Sequence, residues 1–286
     1  MKRKQPSPER LEILEKIREL EAAGGESFYT DVEPDPPGRP LTPEEVDYLQ
    51  VRLSSKWHAF WARRLAALAQ LHYRRALHMR VVGAENLAGV RGGAILTSNH
   101  FSKYENLAVK EVADRVPGRH RFYRVVKGSN FFLPGIIGYL MRHCDTLPLS
   151  SNIKTTRLFS EALAEILRRG DLVLIYPEQA MWWNYRKPRP FRPGAFFYAA
   201  KCGVPVIPVF VTMQDQDRPD EYGFPRQSYT IHVMPPIYPD PNASLRENER
   251  RMLSENQRLC NNKYLEIYGL PPENGLPMEK TLEGPA

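Results

Sequence analysis

From Val81 onward the sequence alternates between short apolar runs and stretches of helical spacing, and this alternation constrains the fold more than any other feature. The runs at 80–83, 93–98, 121–127, 172–176, 204–211 and 229–234 have the length and the branched apolar content of buried strands. The intervening stretches 102–115, 153–169, 194–202 and 244–267 read as helices. Strand–helix alternation predicts an α/β fold, here a mixed central sheet flanked by helices. In such sheets functional groups collect at strand ends and in the loops that follow them.

Ahead of this core lie two further pieces. Residues 7–22 predict a short charged helix, with Ile13, Leu14, Ile17 and Leu20 on one face and Gly24-Gly25 as its end. Residues 31–43 contain five prolines and read as a linker. Thr42-Pro43-Glu44-Glu45 has the signature of a helix start. From Lys56 to Arg80, Trp57, Phe60, Trp61, Leu65, Leu68 and Leu71 recur at helical spacing beside Arg63, Arg64, Arg74 and Arg75. This N-terminal amphipathic segment fits a membrane-surface helix or a helix packed on its own domain. The expected organisation is an N-terminal helix and linker (1–41), an amphipathic helical segment (42–80), an α/β core (81–240) and a C-terminal helix with a tail (241–286).

The chain has 286 residues, enough for one large domain with additions, and its net charge of +7 favours anionic partners. Its three cysteines are widely separated and form neither a metal-ligand pattern nor a disulfide framework. That usage fits a reducing compartment. No apolar stretch follows the basic Met1–Pro6, and no run of about 18 apolar residues occurs. The expectation is a cytoplasmic protein that meets the inner face of a membrane from its surface.

At the end of the run Ala94-Ile95-Leu96 comes Thr97-Ser98-Asn99-His100-Phe101-Ser102-Lys103-Tyr104-Glu105. A histidine at a strand end, with a carboxylate in reach, suits a general base: the carboxylate fixes the ring tautomer and stabilises the imidazolium. Ser102-x-x-Glu105 also has the form of a capping box, which explains Glu105 without catalysis. A second constellation follows the run 172–176. Pro177-Glu178 opens a loop holding Trp182, Trp183, Tyr185, Arg186, Lys187, Arg189, Phe191 and Arg192 and ending near Gly194-Ala195. Arginine forks suit phosphate, whereas cations interleaved with aromatics also suit single-stranded nucleic acid.

Taken together, four segments resemble the glycerolipid acyltransferase family of the 1-acylglycerol-3-phosphate, or lysophospholipid acyltransferase, type. Val82–Leu87 resembles its entry strand and turn, and Asn99–Glu105 its N-H-x-S-x-x-D box. Tyr176-Pro177-Glu178 with Gly194-Ala195 resembles F-P-E-G-T-R and the glycine–alanine downstream. Val204–Val209 is similar to its final V-P-V/I-I/V-P-V box. The match runs over roughly residues 80–212.

The resemblance implies acyl transfer from acyl-CoA or acyl carrier protein, as co-substrate, to a hydroxyl of a lysophospholipid acceptor. His100 would be the general base and Glu105 its orienting partner. Asn99, Ser102, Lys127 and Glu178 would contribute to substrate binding. It implies no metal, no bound cofactor and no nucleic acid, and it adds an anionic membrane surface as partner. The chain departs from the family where Glu105 replaces Asp and where Gln179-Ala180-Met181 replaces G-T-R. Arg186, Lys187, Arg189 and Arg192 are the candidates to replace the missing phosphate-binding arginine. Two other readings remain: a catalytically silent lipid- or thioester-binding homologue, and a nucleic-acid-binding protein. The apolar segment 130–141 fits an acyl channel, a bilayer contact or a buried helix.

Overall fold

The computed structural model of the protein describes residues 5–272. Seven strands form one sheet: β1 (Arg80–Val82), β2 (Ala94–Thr97), β3 (Phe122–Val126), β4 (Thr146–Pro148), β5 (Leu172–Ile175), β6 (Val206–Pro219) and β7 (Pro225–Val233), in the order β1-β7-β6-β2-β5-β3-β4. All neighbours are parallel except β6 and β7, so the sheet is mixed. Side-chain alternation divides the core in two. Ile95, Val173, Val206 and Phe210 face the layer of α5 (Ile153–Arg168), α6 (Gly194–Cys202) and α7 (Leu245–Tyr268). Ala94, Leu96, Leu172, Leu174, Ile207 and Val209 face α3 (Glu105–Ala113). Both faces are covered, which is why the central strands read as continuous apolar runs.

The flanking helices have local causes. Asn152 caps α5 by accepting from the Lys154 and Thr155 amides, at 3.0 and 3.3 Å. Ser244 and Glu247 form a reciprocal capping box on α7, and Gly269 ends that helix at φ 75°.

Several elements differ from expectation. Thr42–Glu45 is a turn rather than a helix start: the Glu45 carboxylate accepts from the Thr42 amide at 2.9 Å and pairs with Arg39. Strand β4 was hidden by its shortness and by Pro148. Strands β6 and β7 extend past the apolar pattern as a ribbon, because backbone pairing of Gln214 with Ser228 and Asp215 with Gln227 needs no apolar side chains. Helix α2 (Leu53–Ala76) buries Ala59 and Ala62 and turns Trp57, Phe60, Trp61 and Leu68 to solvent, so its aromatic stripe is not a packing face. Residues 130–141 are not a buried helix either. They run from a 3₁₀ turn into α4 (Gly135–His143), whose Ile136 and Ile137 are exposed beside α2. His58 of α2 stacks on His143 of α4 at 4.6 Å.

Residues 8–35 are docked on the core. Helix α1 (Pro8–Ala23) places Ile13, Leu14 and Ile17, with Val32, against Trp182, Trp183, Tyr185 and Phe224 in a third apolar cluster. The chain then continues to Leu41, whose carbonyl accepts from Ser150 and Thr155. Of the C-terminal tail, the part from residue 273 onward lies outside the described residues.

Two histidines set an acid limit on stability. Burial lowers both His143 and His232 from the ordinary 6.5 to about 4, helped by His58 for the first and Lys263 for the second. Between pH 6.5 and 4 the unfolded chain therefore binds more protons than the folded one. Stability contributed by these neutral rings is complete above about 6.5 and is lost as pH falls towards about 4. Urea midpoints should fall through that window, and less steeply in His232→Gln; an unchanged slope in the variant would contradict the assignment.

Candidate active site

Strands β2, β5 and β3 are adjacent and parallel, so the loops that follow them share one edge of the sheet. That edge receives His100 and Glu105 after β2, Glu178 after β5 and Lys127 after β3.

The end of β2 is fixed before the histidine is reached. The Asn99 side chain donates to the Val211 carbonyl at 3.0 Å and accepts from the Val211 amide at 2.9 Å, tying β2 to β6. The Asn256 amide of α7 donates to the Thr97 hydroxyl at 2.6 Å. Asn99 is buried and occupied by the backbone, and so acts as part of the frame. The His100 amide donates to Glu178 at 3.1 Å, and its carbonyl accepts from the Trp182 amide at 3.0 Å. With both backbone groups held, the imidazole projects from a rigid turn.

Glu105 is the first residue of α3 and is buried. One carboxylate oxygen accepts from His100 Nδ1; the other accepts from the Ser102 amide and from the Phe101 amide, the latter at 2.8 Å. The capping box is half formed. Glu105 takes the Ser102 amide, but the Ser102 hydroxyl accepts from the Tyr104 amide at 3.1 Å. Two backbone donors at the start of α3 hold this carboxylate in place. One carboxylate thus serves helix start and histidine together.

With the Nδ1 proton directed at Glu105, the lone pair of His100 lies on Nε2. That nitrogen is bonded by no described residue, and the side chain is 21% exposed. Tyr176 stacks on the ring at 3.9 Å and 7°, which fixes its plane. Burial, and then the charge of Glu105, push the Tyr176 phenol well above its ordinary value, so it remains protonated. This aromatic support was not read from the sequence, although Tyr176 adjoins Pro177-Glu178. Among the described residues no group of three or more His, Cys, Asp or Glu converges as a metal-ligand set.

The expected phosphate cations are placed differently from one another. Arg189 is 1% exposed. It donates to Glu178 Oε2 through Nη2 at 2.9 Å and Nε at 3.2 Å, to the Phe28 carbonyl at 2.8 Å and to the His100 carbonyl at 3.3 Å. Arg189 and Glu178 therefore brace the histidine turn from beneath and are not open to an acceptor. Arg186 pairs with Asp215 at 2.6 Å, Lys187 with Glu21, and Arg192 with Glu26 while lying over Tyr29. Lys127 pairs with Asp31 and Asp35. Trp182, Trp183, Tyr185 and Phe191 are buried, which removes the stacking platform that a nucleic-acid interface requires.

Known proteins share this arrangement of segments. A model of the Acyltransferase family matches residues 78–212. The chloroplastic 1-acyl-sn-glycerol-3-phosphate acyltransferase BAT2 of Brassica napus is 25% identical over 159 residues, covering 55% of this chain and 43% of that protein. The corresponding chloroplastic enzyme LPAT1 of Arabidopsis thaliana is 25% identical over 155 residues, covering 54% and 40%. The chain thus matches less than half the length of these curated relatives. The crystal structure of PlsC, the 1-acyl-sn-glycerophosphate acyltransferase of Thermotoga maritima, superposes with a TM-score of 0.51 at 18% identity over 77% of this chain and 85% of that one, a likeness of fold. With the sheet order, the strand-end histidine and the matched segments all in place, the likeness of residues 78–212 to the Acyltransferase family falls on the part of the chain that builds this site, and the curated relatives are 1-acyl-sn-glycerol-3-phosphate acyltransferases by name.

Proposed function

We propose that the protein transfers an acyl group from acyl-CoA or acyl carrier protein to a hydroxyl of a lysophospholipid, 1-acyl-sn-glycerol-3-phosphate being the acceptor that its relatives' names give. The observation that carries this is the pairing of His100 Nδ1 with a buried Glu105 while Nε2 stays open. In the reaction Nε2 takes the acceptor hydroxyl proton as the oxygen attacks the thioester carbonyl. The carbon–sulfur bond breaks, and the departing thiolate receives that proton from the imidazolium. Glu105 stabilises the imidazolium between these steps. No covalent acyl-enzyme and no metal are needed. Incubating purified protein with an acyl thioester and a panel of lysophospholipids should release thiol and form the diacyl product. Thiol release and product formation in His100→Ala at the wild-type rate would refute the assignment.

The same reading includes a membrane surface as partner. Among the described residues no helix is long and apolar enough to cross a bilayer. The exposed Trp57, Phe60, Trp61 and Leu68 of α2 and Ile136 and Ile137 of α4 form a face suited to the headgroup region, with Arg64 over Phe60 at 5.0 Å. Replacing Trp57 and Trp61 by serine should weaken sedimentation with anionic vesicles by at least about tenfold, given roughly 1.5 kcal/mol or more for each large apolar side chain buried. Undiminished sedimentation would remove the surface from the proposal.

A further inference from the structure

Residues 21–35 lie across the sheet edge that carries His100, and their acidic groups meet the cations around it. Glu21 pairs with Lys187, Glu26 with Arg192, and Asp31 and Asp35 with Lys127. Lys16 adds its ammonium to the Asp31 carbonyl at 2.8 Å. The strap is held by more than charge. Trp182 Nε1 donates to the Thr30 carbonyl at 2.9 Å, Arg189 donates to the Phe28 carbonyl, and Arg10 of α1 lies over Tyr222 at 4.2 Å. Ile17 and Trp182 are fully buried where it docks. It crosses where Gln179-Ala180-Met181 replaces the family's glycine-threonine-arginine, and Ala180 is buried against it.

Glu21, Glu26, Asp31 and Asp35 thus compensate Lys187, Arg192 and Lys127, and none of these three cations keeps an uncompensated charge. A phosphate monoester carries about −1.5 to −2 at pH 7 and needs uncompensated cations. A headgroup with a phosphodiester and an amine carries one charge of each sign and can pair with both partners of such a rim. We propose that the acidic strap Glu21–Asp35 sets acceptor specificity, favouring lysophospholipids with a zwitterionic phosphodiester headgroup over phosphomonoesters. This rests on the acyltransferase reading above and narrows it.

The test is the ratio of kcat/KM for lysophosphatidylethanolamine to that for lysophosphatidate, with one acyl thioester, in wild type and in the full-length variant Glu21→Gln, Glu26→Gln, Asp31→Asn, Asp35→Asn. A strap with only a structural role would change both values together and leave the ratio fixed. The expected result is a wild-type preference for the zwitterion that shifts at least about tenfold towards lysophosphatidate when the carboxylates are neutralised. If the fourfold variant does not fold, Asp31→Asn, Asp35→Asn at Lys127 provides the same comparison. Wild-type preference for lysophosphatidate, or an unshifted ratio, overturns the strap's role while leaving acyl transfer standing. Absence of transfer to every acceptor overturns both.

Discussion

Replacing His100 with alanine is expected to slow acyl transfer by about 10²–10⁴-fold, the range for loss of a positioned general base. The effect should fall on kcat. Nε2 touches the acceptor proton only as the carbon–oxygen bond forms, so KM for the lipid should change little. Stability should change little as well, because the ring is partly exposed and the turn is held through the His100 amide and carbonyl, which alanine retains. A variant with wild-type kcat would show that the imidazole is not the base.

The second large effect lies beneath the site. Glu178→Gln is nearly isosteric but leaves the Arg189 guanidinium buried without a carboxylate partner, with carbonyls and the Trp182 ring around it. Removing one partner of a buried ion pair costs about 3–5 kcal/mol, mostly for the charge left behind. The urea midpoint should fall accordingly, and activity with it, since Glu178 holds the His100 amide. Replacing both partners, Glu178→Leu with Arg189→Met, should recover much of the stability but not the activity. A loss below about 1 kcal/mol in Glu178→Gln would contradict this account of the pair.

The dyad was legible because it is local: Glu105 follows His100 by five positions, and a strand end followed by a helix start brings them together. The central strands were legible for a different reason, since burial on both faces leaves its mark on every residue. What escaped the sequence depends on long-range pairing. Arg186, Lys187, Arg189 and Arg192 look alike in a proline-rich loop, yet only Arg189 is enclosed, by Glu178 and Trp182. The partners of Lys187 and Arg192, Glu21 and Glu26, lie at the end of α1 and just beyond it, ahead of the core, and a carboxylate there carries no local sign of the cation that it meets. The direction of the α2 stripe was equally undecided, because helical spacing defines a face but not what the face meets. The polar halves of β6 and β7 lack the apolar pattern by which strands are recognised.

The most direct test of the central claim is a double-mutant cycle of kcat for acyl transfer in wild type, His100→Ala, Glu105→Ala and the double variant. If Glu105 acts through His100, each single variant is slow and the double variant is no slower than His100→Ala alone. Fully additive losses, or a His100→Ala enzyme as fast as wild type, would contradict a His100–Glu105 dyad as the catalytic unit.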